Sequence, residues 1–195
     1  MREESKQYKD MIQMQFIDNY WNQTLKTVSV LRWAHNKCQN SKFIIKTDDD
    51  TIINISMLLD SLNKLESGIS GYKWKNRTPG VCSWYPWKYI KSNSRPYFVF
   101  GWFYTVSTDV IPKLLDTFDT YSDFVLDIED IFVTGILAEK AGVPRFGINQ
   151  LISRKCYLGS KCQLSKHIAI TQCRSGEDVV KLFEAWKKLD NNTEC

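Results

Sequence analysis

The sequence predicts an α/β domain with a mixed sheet flanked by helices, spanning residues 1–195 as a single domain. Short apolar runs that are typical of buried strands alternate along the chain with segments of helical periodicity. Hydrophobic residues make up 43% and aromatic residues 13% of the chain. This composition is sufficient for a packed core and excludes a disordered protein.

Each element follows from its local pattern. In the first half, Gly68 and Gly71 are expected to end a helix. The elements predicted there are a short strand over 10–17, a helix over 22–36, a central strand over 43–45 and a helix over 56–65.

In the second half, Pro112 falls in the first turn of a helix that starts at Ser107 or Thr108, and Gly142 is a natural helix stop. Residues 72–97 are rich in Trp, Tyr and Pro, which predicts an irregular region. The other elements predicted are a buried strand over 98–106, a helix over 127–141, a strand over 145–148 and a terminal helix after the capping box 175–178.

The net charge and the cysteine content limit the partners, metal sites and cellular compartments to be expected for this protein. The net charge of +4 is scattered instead of forming a basic stripe, so no nucleic-acid partner is expected. With no CxxC pair and two histidines, a zinc site is disfavoured. The even number of cysteines predicts disulfides in an oxidising compartment, and the alternative is six unrelated buried thiols. The cysteines are Cys38, Cys82, Cys156, Cys162, Cys173 and Cys195.

Four N-x-S/T tripeptides support the same compartment, and they predict N-glycosylation at Asn22, Asn54, Asn76 and Asn191. Asn22 and Asn191 are the favoured sites, because a glycan at Asn54 would lie close to the acidic triplet described next. The chain opens without a signal peptide, and no apolar run is long enough to span a membrane. We therefore expect the sequence to be a fragment, or to lack its natural N-terminus.

Three aspartates, Asp48, Asp49 and Asp50, directly follow the predicted central strand. Like charges this close repel one another unless a cation neutralises them, and hard oxygen ligands suit Mg²⁺ or Mn²⁺. On an extended strand Asp48 and Asp50 share one side while Asp49 points elsewhere. The pattern predicts a divalent-metal site for a bound diphosphate, and the alternative is a set of helix N-caps, which would explain one aspartate only.

A second acidic pair, Glu129 and Asp130, opens the helix predicted over 127–141. One interpretation is that these charges complement the helix dipole. The functional interpretation is a general base that takes the proton of an attacking sugar hydroxyl. One base opposite one metal-held diphosphate would give a single in-line displacement, with inversion at the anomeric carbon.

Aromatic residues predict a sugar-binding surface. Trp84, Tyr85, Trp87 and Trp102 are candidates for a wall that faces a sugar, because their flat apolar rings also carry a polar group. For Phe98, Phe100 and Tyr104 in the neighbouring strand, burial in the core is the favoured interpretation.

These motifs resemble those of the beta-1,3-galactosyltransferase family, glycosyltransferase family 31, which also includes beta-1,3-N-acetylglucosaminyltransferases and Fringe-like enzymes. The resemblance covers about residues 3–190. It rests on four segments in the family's order: YKDMIQMQFIDNYWNQTLKT, KFIIKTDDDTIIN, FVFGWFYTVSTDV and IEDIFVTGILAEKAGV.

The resemblance implies a GT-A type, Rossmann-like fold that is N-terminally truncated here. It also implies an inverting, Mn²⁺- or Mg²⁺-dependent enzyme that uses UDP-galactose or UDP-N-acetylglucosamine on a glycoprotein or glycolipid. By matched position, Asp50 with Asp48 resembles the metal ligands, Asp48 and Asp49 resemble donor-side residues, and Asp130 with Glu129 beside it resembles the catalytic base. Trp102 resembles a sugar-wall position. The implied location is the luminal side of the Golgi membrane, held by a type II anchor that this sequence does not contain.

Three departures from the family pattern bear on activity. The upstream nucleotide-binding strands are absent from this sequence. Phe103 replaces a glycine, and we expect it to crowd the donor sugar. Thr171 stands where a metal-binding histidine is expected, and His167 lies four residues earlier, roughly 13 Å along a strand. The alternative is therefore an inactive relative that binds luminal carbohydrate, and a more distant one is a metal-dependent phosphotransferase.

Overall fold

The structure is a computed structural model that describes residues 2–74, 97–121, 125, 127–156 and 162–188. The strands within these residues are β1 (Phe43–Thr47), β2 (Ile52–Ile53), β3 (Ile69–Trp74), β4 (Phe98–Ser107), β5 (Arg145–Gly147), β6 (Ile152–Ser153) and β7 (Ala169–Ile170). The helices are α1 (Arg2–Tyr8), α2 (Gln23–Lys37), α3 (Ile55–Leu62), α4 (Ile111–Asp119), a π-helix (Asp130–Leu137), α5 (Ala138–Lys140), α6 (Gln163–Lys166) and α7 (Gly176–Lys187), with short 3₁₀ turns at Tyr20–Asn22, Thr108–Val110 and Asn149–Leu151.

The described strands form two mixed sheets with helices packed against them. The larger sheet has the order β1-β4-β3-β5, in which β4 is antiparallel to β1 and β3, and β3 is parallel to β5. The smaller sheet has the order β2-β7-β6, with β2 antiparallel and β6 parallel to β7. This arrangement confirms the predicted mixed sheet flanked by helices.

The main core lies between the larger sheet and three helices. Leu31 of α2, Leu114 of α4 and Phe132 of the π-helix pack with Val99 and Val106 of β4, and all five are at most 2% exposed. A second cluster joins Leu58 of α3 to residues around β6 and β7. A third packs α7 onto the smaller sheet through Leu182. These clusters attach both sheets to the chain segment that carries the acidic triplet.

The strand predicted over residues 10–17 is wrong. The chain is irregular between α1 and the 3₁₀ turn at Tyr20–Asn22, and Ile12 and Ile17 are exposed. No described strand pairs with this segment, so its alternating pattern has no sheet to join. The strand predicted over 43–45 exists, but β1 lies at the edge of the described sheet and not at its centre.

Gly71 does not end a helix, as the sequence suggested, but lies within β3. A Cβ atom at this position would lie 2.4 Å from Val99 Cγ1 and 2.8 Å from the carbonyl oxygen of Phe103. The pairing of β3 with β4 also shifts here, from Gly71 opposite Tyr104 to Lys73 opposite Val99. Glycine is required because the two strands approach each other closely at this irregularity.

The helix predicted over 127–141 is present, but most of it is a π-helix that begins at Asp130. It continues into α5 and ends near Gly142, whose φ of +65° is the left-handed conformation typical of a helix stop. Helices of the π type are rare, and they are frequent at functional sites. The wider turn therefore begins at the residue proposed as the base.

Other predictions are confirmed. Helix α2 begins and ends within one residue of the predicted bounds. Pro112 lies in the first turn of α4, and the Ser175 side chain accepts a hydrogen bond from the Asp178 amide at the start of α7.

No helix among the described residues is long and apolar enough to cross a membrane.

A disulfide joins Cys156 to Cys173, and Cys162 is disulfide-bonded as well. These bonds support the prediction of an oxidising compartment. Cys38, at the end of α2, is a free thiol.

Removal of the Cys156–Cys173 disulfide is expected to destabilise the fold. The bridge closes a loop with a sequence separation of 17, and a loop of this length stabilises by about 3 kcal/mol through the unfolded state. The double variant Cys156→Ser, Cys173→Ser should lose about this much free energy of unfolding in a urea titration. Cys38→Ser is the control, because its thiol is unpaired. An unchanged urea midpoint in the double variant would show that the bridge does not constrain the chain.

Candidate active site

The acidic triplet lies in a turn that two neighbouring segments hold in place. The Asp48 amide donates to the Trp102 carbonyl oxygen (3.1 Å), and the Thr51 amide donates to the Asp48 carbonyl oxygen (3.3 Å). On the other side, the Cys173 amide donates to the Asp50 carbonyl oxygen (3.2 Å). The triplet therefore continues β1 as a turn and not as extended strand, and it lies between β4 and the segment after β7.

The three carboxylates differ in exposure. Asp49 is exposed, whereas Asp48 and Asp50 are half-buried. Burial raises the pKa of Asp50, and the neighbouring charge of Asp48 raises it further, while a hydrogen bond from Thr51 partly offsets both. A cation beside Asp50 would relieve this cost by stabilising the ionised form.

Lys46 connects the triplet to the rest of the site. It precedes Asp48 by two residues, so strand geometry places both side chains on one face. The Lys46 ammonium donates to the Asp48 carboxylate and to the Gly101 carbonyl oxygen. The sequence reasoning missed this residue, although a lysine inside the apolar run FIIKT was a signal that could have found it.

Glu129 is a buried carboxyl group, only 8% exposed, that accepts a hydrogen bond from the Tyr104 hydroxyl (2.6 Å). Burial raises its pKa to about 7, although the Lys46 charge and the hydrogen bonds from Tyr104 and Thr27 oppose the shift. The pKa of Tyr104 is also raised, first by burial and then by the Glu129 charge. Glu129 therefore joins β4 and α2 beneath the site.

Asp130, the neighbour of Glu129, is half-buried and held by backbone amides. Its two oxygens accept from the Gly101 amide (3.2 Å) and from the Ile131 amide (2.8 Å). Burial raises its pKa, the two amides and Lys46 lower it, and the charge of Asp48 raises it. The charges of Asp48 and Lys46 both shift the pKa of Asp130, so the acidic pair and the acidic triplet lie close together in the structure.

A cavity of about 630 Å³ opens beside the triplet. This volume is within the range of small-molecule sites. Residues of α2, β1, the 3₁₀ turn at 20–22 and the triplet itself line it, including Lys26, Lys46 and Tyr104. Glu129 and Asp130 are not among the lining residues, and the side chains of Lys46 and Tyr104 connect them to the cavity.

Glu129→Gln is expected to flatten the pH dependence of stability. In the unfolded chain this carboxyl has its ordinary pKa of 4.5, and in the folded chain its pKa is about 7. The folded state therefore binds more protons between these values, and stability falls as pH rises from about 4.5 to about 7. Wild type should lose up to about 3 kcal/mol across this window.

Urea titrations at pH 5 and pH 8 would measure this effect, with the exposed Glu66→Gln as the control variant. An equal loss in wild type and in Glu129→Gln would show that another group carries the pH dependence.

The candidate wall residue Trp102 belongs to a group of aromatic rings on β3 and β4. Its ring stacks on Phe100 with centroids 4.2 Å apart and an angle of 3° between the planes. Tyr72 meets both rings edge-on, at 5.9 and 6.2 Å. The other candidates, Trp84, Tyr85 and Trp87, lie outside the described residues.

Phe103 does not crowd this site, contrary to the expectation from sequence. Its side chain is 1% exposed and packs in the second core cluster with Leu58 and Ile168. The glycine that it replaces would leave this core position empty, so the residue serves packing.

The strand register shows whether His167 could serve as the metal ligand expected at position 171. Ile52 pairs with Ile170, and the Asn54 amide donates to the Ile168 carbonyl oxygen, so His167 lies beside the start of α3 and away from Asp50. Thr171 is fully buried, with its hydroxyl 3.4 Å from the Ser153 carbonyl oxygen.

In the described part of the chain, no three His, Cys, Asp or Glu side chains gather to hold an ion. The residues present nevertheless fit a cation such as Mg²⁺, which one or two carboxylates, waters and substrate phosphates commonly bind. Asp48 and Asp50 provide such carboxylates at the cavity wall.

The structure contradicts one of the four glycosylation predictions and leaves the other three as predictions. Asn54 is 7% exposed, its oxygen accepts from the Met57 amide (3.1 Å), and its nitrogen donates to the Leu164 carbonyl oxygen (2.8 Å). A glycan on this nitrogen is incompatible with the fold, so the prediction at Asn54 is wrong. Asn22 is half-buried and its side chain donates to the Ile17 carbonyl oxygen, and it stays a prediction. Asn76 and Asn191 lie outside the described residues.

The mixed sheets flanked by helices are consistent with an α/β glycosyltransferase fold. The family model described as Galactosyltransferase matches residues 1–149, and the chain belongs to this family, as the motifs indicated.

Curated relatives agree over nearly the whole chain. Beta-1,3-galactosyltransferase 2 of Mus musculus is 28% identical over 98% of this chain and 46% of its own length. Beta-1,3-galactosyltransferase 5 of Pan paniscus is 27% identical over 97% of this chain and 64% of its own length. UDP-GalNAc:beta-1,3-N-acetylgalactosaminyltransferase 1 of Homo sapiens is 28% identical over 96% of this chain and 57% of its own length. The chain thus spans about half to two-thirds of the length of these relatives.

Proposed function

We propose that this chain is an inverting hexosyltransferase. It moves galactose, or N-acetylglucosamine, from a UDP-sugar to the 3-hydroxyl of an acceptor glycan on a protein or lipid. The observation that carries the proposal is that Lys46 donates to Asp48 and to the Gly101 carbonyl oxygen, while the Gly101 amide donates to Asp130, so that the acidic triplet and Asp130 lie at one site. Family membership and the named relatives support the same class of reaction.

On the donor side, Asp50 and Asp48 would hold Mn²⁺ or Mg²⁺ at the diphosphate, and Asp49 would face the donor's ribose or diphosphate. When bound, such an ion stabilises the charge that develops on the leaving UDP. Lys46 adds a positive charge on the same face of β1 and holds Asp48 in position. The cavity beside the triplet is large enough for part of a nucleotide sugar.

On the acceptor side, Asp130 accepts the proton of the attacking hydroxyl. The Gly101 and Ile131 amides hold its carboxylate in one orientation, and its raised pKa brings it closer to the working pH, which suits a general base. Glu129 has a structural role, because its buried carboxyl accepts a hydrogen bond from the Tyr104 hydroxyl. Trp102, two residues before Tyr104, provides a ring face for the sugar.

We place the protein in the Golgi lumen, on the luminal side of the membrane. The Cys156–Cys173 disulfide supports an oxidising compartment of this kind. Microscopy of the tagged full-length protein against a Golgi marker tests the placement, and a cytosolic distribution would contradict it.

Transfer assays test the function directly. The protein is incubated with Mn²⁺, a β-linked p-nitrophenyl galactoside or N-acetylglucosaminide as acceptor, and either UDP-galactose or UDP-N-acetylglucosamine. The proposal expects a disaccharide with a β-1,3 linkage, identified by NMR, from one of the two donors. Hydrolysis of p-nitrophenyl phosphate without sugar transfer would favour the phosphotransferase instead.

A second candidate function is an inactive relative that binds carbohydrate. Thr171 at the position expected for a histidine ligand favours it, because its buried hydroxyl cannot reach the site as imidazole would. This candidate expects glycan binding without UDP binding, and saturable Mn²⁺-dependent UDP binding would contradict it.

A further inference from the structure

We propose that Arg154 and the aromatic rings of β3 and β4 form a subsite for an acceptor sugar that carries an anionic group, a carboxylate or a sulfate. This inference deepens the proposed function and rests on it. It concerns the chemistry of the acceptor, which the family and the relatives leave open.

The subsite is built on four rings: Tyr72 and Trp74 of β3, and Phe100 and Trp102 of β4. Phe100 stacks on Trp102 at 4.2 Å, and Trp74 lies 6.2 Å from Phe100 at the outer end. Trp74 is 40% exposed, so the group of rings reaches the surface instead of closing into the core. Exposed rings that neighbour a reaction site provide flat apolar faces, against which the C–H groups of a sugar can pack.

Arg154 follows β6 directly and lies over these rings. Its guanidinium carbon is 5.3 Å from the centroid of Tyr72, 5.6 Å from that of Trp102 and 6.0 Å from that of Trp74. These distances are those of cation–π contacts. The rings therefore hold one positive charge at a fixed place on the surface.

The Arg154 charge has no carboxylate partner and no hydrogen-bond acceptor among the described residues. Nearby cations differ, since Lys73 donates to the Arg145 carbonyl oxygen (2.6 Å), and Arg145 contacts Glu139 and the Gly135 carbonyl oxygen. A guanidinium carries five N–H donors in a planar fork that matches carboxylate and sulfate oxygens. The Arg154 guanidinium is exposed, so it is accessible to an anionic group of a ligand that packs on the rings.

The location connects this subsite to the candidate active site, because the Trp102 carbonyl oxygen accepts from the Asp48 amide (3.1 Å). Phe100 and Trp102 flank Gly101, whose amide donates to the Asp130 carboxylate (3.2 Å). A sugar packed on the Trp102 ring would therefore lie one residue along β4 from the backbone amide that holds the Asp130 carboxylate. An anionic substituent on that sugar, or on the next one, would face Arg154.

Binding of simple glycosides tests the subsite without requiring transfer. Methyl β-glucuronide and methyl glucoside 6-sulfate are titrated against the protein, with neutral methyl β-glucoside as the reference and tryptophan fluorescence or saturation-transfer NMR as the readout. We expect at least one anionic glycoside to bind about tenfold more tightly than the neutral one, because a hydrogen bond to a charged group contributes this much. The preferred glycoside identifies the substituent as carboxylate or sulfate.

The variants separate this role from a structural one. Arg154→Gln should abolish the anionic preference and leave the affinity for methyl β-glucoside unchanged, whereas Arg154→Lys should keep part of it. Lys64→Gln, which removes an exposed charge after α3, is the matched control and should change nothing. Circular dichroism confirms that each variant is folded.

Equal affinities for neutral and anionic glycosides in wild type would overturn the inference, as would a preference that survives in Arg154→Gln. These titrations contain no UDP and no metal, so their failure is separate from a failure of the proposed function. Absence of Mn²⁺-dependent UDP binding would instead refute the proposed function.

Discussion

Asp50→Asn is expected to abolish the Mn²⁺-dependent binding of UDP. Asp50 lines the cavity, and burial together with the charge of Asp48 raises its pKa, so its ionised form is costly unless a cation is near. Loss of its charge removes a metal ligand whose contribution is several kcal/mol, which corresponds to at least about a hundredfold in Kd. Isothermal titration calorimetry of UDP in the presence of Mn²⁺ measures the loss.

The control for this variant is Asp60→Asn. Asp60 is an exposed residue of α3, so the same chemical change occurs away from the cavity and should leave the titration unchanged. If UDP binds Asp50→Asn as it binds wild type, Asp50 is not a ligand of the metal–diphosphate unit.

Asp130→Asn is expected to lower kcat by roughly 10²- to 10⁴-fold, which is the usual contribution of a general base. The asparagine oxygen can accept from only one of the Gly101 and Ile131 amides, and the side chain cannot take a proton from the acceptor hydroxyl. The affinity for UDP should change little, because the Asp130 carboxylate is held by backbone amides and not by the triplet. Initial transfer rates at saturating donor and acceptor, together with UDP calorimetry, give both quantities.

Asp116→Asn, on the exposed face of α4, is the matched control and should keep the wild-type rate. A wild-type kcat in Asp130→Asn would remove Asp130 from the chemistry. A large loss in UDP affinity with little change in kcat would assign it to the donor side.

The sequence predicted correctly those helices and strands whose residue pattern has a local physical cause. The helical period of α2, the capping box of α7 and the long apolar run of β4 all have local physical causes. The strand predicted over 10–17 failed because alternation describes a strand only when another strand is present to pair with it. Asn54 failed for a related reason, since a sequon does not reveal that its side chain caps α3.

Some residues of the candidate site were predictable from the sequence, and others were not. The triplet and the pair were visible as acidic clusters, but the extended strand expected at Asp48 and Asp50 is a turn in the structure, and this turn leaves both residues half-buried. The roles of Lys46 and Arg154 depend on contacts with residues that are distant in sequence. Lys46 contacts Gly101, and Arg154 contacts Trp102. The π-helix could not be foreseen either, because its side-chain pattern over so few residues does not differ from that of an α-helix.

The central claim is that the acidic triplet and Asp130 act on opposite sides of one bound nucleotide sugar. Paramagnetic broadening by Mn²⁺ tests it most directly, in ¹⁵N-labelled protein with UDP present. The account predicts that the amide signals of Asp49, Gly101 and Ile131 broaden together as Mn²⁺ is added, and that EDTA reverses the effect. Broadening at Asp49 while Gly101 and Ile131 remain sharp, or no broadening at all, would contradict it.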